Sequence, residues 1–112
     1  METLSIKSKK PFALKPLEKI LLRHWPVEAS TDNTLVVHGT TTRAYLYPDP
    51  ESKSAEEFGL FLDYADVELA KSILEKIADD FAVTVDNDFG TVLPGDQFVA
   101  RCKSERGWDW RR

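Results

Sequence analysis

The stretch Phe58-Gly59-Leu60-Phe61-Leu62-Asp63-Tyr64-Ala65-Asp66-Val67 changes its hydrophobic period part-way along. Up to Tyr64 it alternates as a strand does, with Phe58, Leu60, Leu62 and Tyr64 on one face and Gly59, Phe61 and Asp63 on the other. Both faces are largely apolar. That places the strand in the interior of a sheet, because an exposed edge of this composition invites aggregation. From Val67 the period lengthens: Val67, Ala70, Ile73, Leu74 and Ile77 recur at three and four residues, and charged residues take most of the other positions. Asp66 is a natural N-cap, its carboxylate able to accept from a backbone N–H in the first turn. Phe81-Ala82-Val83-Thr84-Val85 then reads as a further strand. Strand, helix and strand in this order predict a right-handed crossover that leaves the two strands parallel.

Toward the N-terminus, Leu35 to His38 and Thr41 to Tyr47 read as a β-hairpin turning at Gly39-Thr40. Alternation puts Ala44 and Leu46 on its core side and Arg43, Tyr45 and Tyr47 on the other, a stripe suited to cross-strand aromatic packing or to binding. Leu17, Ile20, Leu21 and His24 form the apolar stripe of a short helix beginning near Leu14, with Pro16 tolerated in its first turn and Pro26 ending it. Residues 1–13 are polar and lysine-bearing, and read as a flexible arm. Toward the C-terminus, Asp86-Asn87-Asp88 opens a tight acidic loop. Pro94-Gly95-Asp96-Gln97 then reads as the first turn of a last helix burying Phe98, Val99 and Cys102. The expected fold is α+β in one domain spanning residues 1–112. It has a single-layer, mostly antiparallel sheet of about four strands with two or three helices packed on it, in the order α-β-β-β-α-β-α.

The net charge of −4 conceals an asymmetry: +4 in residues 1–25, −11 in residues 26–100 and +3 in residues 101–112. The acidic body argues against nucleic acid as a partner and favours a basic protein. No apolar run approaches the roughly 20 residues that span a bilayer, and the N-terminal lysines are not followed by the apolar region of a secretory signal. Cys102, the single cysteine, excludes an internal disulfide. A cytoplasmic protein without a membrane partner is expected.

Three constellations suggest chemistry. Glu56, Glu57, Asp63, Asp86 and Asp88 are the candidate contacts to a basic protein. His38, Asp63, Asp86 and Asp88 form the candidate set for a small-molecule or metal-dependent enzyme, with His38 beside a carboxylate as general base. No metal or cofactor is expected: Asp86 and Asp88 fit the first and third positions of a calcium loop, but Thr91 stands where it needs glycine and Gln97 where it needs glutamate. The tail Arg106, Trp108, Trp110, Arg111 and Arg112 combines stacking and cationic side chains, and single-stranded nucleic acid is the alternative it suggests.

The run Val85 to Asp96, together with Trp108-Asp109-Trp110, resembles a pattern in small uncharacterised bacterial proteins, some of them similar to the immunity proteins of toxin systems. The resemblance implies a protein partner, a basic toxin domain, and supplies no catalytic residue. The expected function is thus protein binding through an acidic surface.

Overall fold

A computed structural model describes residues 2–8, 14–30, 33–48, 58–87, 90–105 and 110. Among them the order is β1 (Glu2–Ser8), α1 (Leu14–Leu22), β2 (Val27–Ala29), β3 (Leu35–His38), β4 (Arg43–Pro48), β5 (Phe58–Tyr64), α2 (Val67–Asp80), β6 (Thr84–Asp86), β7 (Val92–Pro94) and α3 (Gly95–Ser104). The seven strands form one sheet in the order β2-β3-β4-β5-β1-β6-β7, and every pairing is antiparallel. The α+β class and the antiparallel sheet agree with expectation; about four strands was too few.

The largest difference is β1. Residues 2–8, read as part of a flexible arm, run beside the central strand β5 over seven paired positions and hold β6 on their other side. Leu4 and Ile6 are fully buried while Glu2 and Lys7 are exposed, the half-buried alternation of a strand. This insertion also alters the crossover. β5 and β6 both oppose β1 and so run the same way, but β1 lies between them and no parallel ladder forms.

β2 and β7 are three-residue edge strands that the expected sheet of about four strands lacks, and Pro94, expected in the first turn of the last helix, ends β7 instead. Pro94 ends β7 opposite Thr84 and also caps α3, which begins at Gly95. The backbone N–H of Gly95 donates to Val83 O at 2.7 Å. A Cβ at Gly95 would stand 2.7 Å from Val83 Cγ2, so glycine lets the helix start close against the residue that leads into β6, and a larger residue would have to push Val83 aside.

The core lies on one side of the sheet. Leu4, Ile6, Leu35, Val37, Ala44, Leu46, Leu60, Leu62, Tyr64 and Val85 face Leu17 and Leu21 of α1, Ala70, Ile73, Leu74 and Ile77 of α2, and Phe98 of α3. Asp66 caps α2 as expected, accepting from Glu68 N at 3.0 Å. The other face of the sheet has no helix on it among the described residues.

Candidate site on the uncovered sheet face

Strand pairing fixes which side chains share that face, because directly opposed residues in an antiparallel pair point the same way. One row crosses the sheet as Glu28, Val36, Tyr45, Asp63 and Thr3. The next is Tyr47, Phe61, Ser5, Asp86 and Val92. His38 and Arg43 form a pair beyond the first row, and Gly59, Lys7, Thr84 and Pro94 lie beyond the second. Most of these side chains are half-buried; Val92, near one edge, is 58% exposed.

Asp63 occupies the centre. Its Oδ1 accepts from Thr3 Oγ1 at 2.6 Å, and Tyr47 Oη donates across the carboxylate, 3.2 Å from Oδ1 and 3.1 Å from Oδ2. Tyr47 and Phe61 stack at a tilt, ring centroids 5.5 Å apart, and Tyr45 is directly opposite Asp63. The result is a carboxylate held by two hydroxyls, one of them from a tyrosine whose ring packs on Phe61. Three strands must pair in register to build it, and β1 supplies the threonine.

The expected enzymatic set does not assemble. Asp63 and Asp86 are two strands and one pair-step apart on the same face, roughly 12 Å between Cα atoms at ordinary sheet spacings. His38 is two strands from Asp63 in the opposite direction, about 12 Å away by the same spacings. Its Nε2 instead stands 3.2 Å from Glu28 Oε1 without making a hydrogen bond. Hydrogen-bonding reach is about 3 Å, so these groups do not act on one reacting atom. Asp88, Glu56 and Glu57 lie outside the described residues. Among the described residues no group of three or more His, Cys, Asp or Glu side chains is placed to hold a metal ion, and no helix is long and apolar enough to cross a membrane.

Asn87 and Trp110 have structural work. Asn87 is buried; its Nδ2 donates to the Trp110 carbonyl, and its Oδ1 accepts from Thr91 N at 2.9 Å. Trp110 is 1% exposed, its indole N–H donates to Tyr64 Oη, and Phe98 and Lys71 pack on its ring. It is therefore closed to base stacking. Trp108, Arg106, Arg111 and Arg112 lie outside the described residues. Cys102 is half-buried, and that burial pushes its thiol pKa up, which disfavours the nucleophilic thiolate.

A shallow groove of about 250 Å³ separates α2 from α3, with Glu75, Asp79, Asp96 and Lys103 around Ala78 and Val99. Its charges are partly satisfied within it: Lys103 Nζ lies 2.9 Å from Glu75 Oε1. The sequence singled out Asp63, Asp86 and the Arg43-Tyr45-Tyr47 stripe but not that β5 unites them, and it missed Thr3 and Ser5. The signal for both was the alternation Thr3-Leu4-Ser5-Ile6-Lys7. No protein-family model, curated protein or solved structure matches this chain.

Proposed function

We propose that this protein is a binding module that engages a basic protein partner through the uncovered face of its sheet, as a toxin-neutralising immunity protein acting in the cytoplasm would. The observation that carries the reading is the placement of Asp63 and Asp86 on one face with Tyr45, Tyr47 and Phe61 beside them. Tyrosine and phenylalanine supply contact area at low entropic cost, and carboxylates among them select a cationic partner. The six inter-strand spacings of about 4.8 Å make the face roughly 29 Å wide. That is a suitable breadth for an interface taking about 800 Å² from each side. The acidity of residues 26–100 adds long-range attraction, which speeds encounter with a basic surface and weakens as salt is raised.

Affinity capture from a lysate of the source cell tests this. The wild-type protein should retain a basic protein that Asp86→Lys and Asp63→Asn lose, while Glu68→Lys, on the exposed side of α2, keeps it. Retention equal across all four proteins, or no protein retained, would refute the reading.

A further inference from the structure

We infer that two copies of this chain associate through their helices, the basic outer stripe of α1 in each seated on the acidic groove between α2 and α3 of the other. The contact lies on the opposite side of the sheet from the proposed binding face, and it goes beyond that reading without depending on it.

α1 buries Leu17 and Leu21 and turns Lys15 and Lys19 outward. Arg23, in the turn that follows, continues the same four-residue repeat, so the three cations follow one another at steps of about 6 Å along the axis. All three are exposed, and none belongs to an ion pair among the described residues. The one carboxylate of α1, Glu18, is half-buried on its flank. Leu22, one turn on from Lys19, is 49% exposed. The outer face of α1 thus sets a large apolar side chain beside unpaired positive charge, in a chain whose residues 26–100 carry −11.

The groove has the reciprocal character. Ala78, Val99 and Ala100 line its roughly 250 Å³, and their small side chains leave room for a leucine. Around them stand Glu75, Asp79 and Asp96 with one ammonium, that of Lys103, which already lies 2.9 Å from Glu75. Asp79 and Asp96 are exposed and enter no ion pair among the described residues. Leu22 placed on the alanines, with Lys19 and Arg23 toward Asp79 and Asp96, removes apolar surface from water and matches charge in the same contact. α2 packs against both α1 and α3 on one side of the sheet, so stripe and groove share one outer surface. A two-fold axis across that surface makes the contact twice and closes the assembly, the commonest symmetry of homo-oligomers. Each copy then keeps its uncovered sheet face directed outward.

Sedimentation equilibrium of the full chain tests the contact. The wild-type protein should show a reversible monomer–dimer equilibrium that shifts to monomer as salt is raised, because the matched charges are exposed. Lys19→Glu with Arg23→Glu sets like charges against the groove, and Asp79→Lys with Asp96→Asn sets them against α1, so each doubly substituted protein should be monomeric. Mixed in equal amounts the two should form a 1:1 dimer, since each supplies the charge that the other lacks. Leu22→Asp should raise the dimer dissociation constant about tenfold or more. All five positions are exposed, and circular dichroism checks folding; should one charge-altered protein unfold, the other and Leu22→Asp still decide. A wild-type protein that stays monomeric up to its solubility limit would overturn the inference. So would a dimer that survives either charge alteration, or a mixture of the two folded variants that stays monomeric. Asp63→Asn, on the other side of the sheet, should leave the dimer intact; its loss there would move the contact to the sheet face and overturn this one.

Discussion

Asn87 shows how one side chain joins two distant parts of the chain. Its amide closes the β6–β7 connection through Thr91 and, in the same place, accepts the end of the chain by donating to the Trp110 carbonyl. Replacing it with alanine leaves a buried carbonyl and a backbone N–H without their partner. Two such losses cost about 2 to 4 kcal/mol. Asn87→Ala should therefore lower the melting temperature by roughly 8 °C or more, and calorimetry checks it. The structural role of Asn87 was legible, because asparagine after a strand commonly satisfies a turn. Its link to Trp110 was not, since no local pattern relates positions 23 residues apart. The same limit hid Thr3 beside Asp63, 60 residues away.

At the scale of elements, legibility followed length and period. α2 has fourteen residues, a continuous apolar stripe and a side-chain cap, and each of those signals is local. β2 and β7 have three residues each, too few for alternation to distinguish them from loop. β1 carried a clear alternation, but its position at the N-terminus and its polar composition favoured an arm; pairing on both sides with β5 and β6 outweighs that preference. The junction of β7 and α3 depends on Gly95, and Gly95→Ala should shift the urea midpoint downward by the equivalent of about 1 to 3 kcal/mol as Val83 and Ala78 are pushed aside. The α2–α3 contact also responds to pH. The hydrogen bond from Lys103 holds the Glu75 carboxyl below its ordinary value of 4.5. A folded-state pKa below the unfolded one adds stability above the unfolded value and loses it as pH falls through the folded value. The contribution is thus present at neutral pH and disappears in acid below 4.5. Because both side chains are substantially exposed, the effect is small and salt-sensitive. In a carboxyl NMR titration, Lys103→Ala should move the Glu75 midpoint up toward its ordinary value.

The whole molecule divides by face. Among the described residues three helices gather the apolar side chains on one side of the sheet, and the remaining side presents aromatic and charged residues of both signs, Arg43 and Lys7 as well as Asp63 and Asp86, that the core does not use. The class of fold followed from period alone, whereas the face became visible only when the strand order placed β1 between β5 and β6. That order also keeps Asp63 and Asp86 apart: β1 lies between the strands that carry them, so the two carboxylates do not converge on one atom. The most direct test is hydroxyl-radical footprinting of the protein alone and bound to its captured partner. Oxidation of Tyr45, Tyr47 and Phe61 should fall several-fold in the complex while Leu22, 49% exposed on α1, is unchanged. Protection of Leu22 with Tyr45, Tyr47 and Phe61 oxidised as in the free protein would contradict the account.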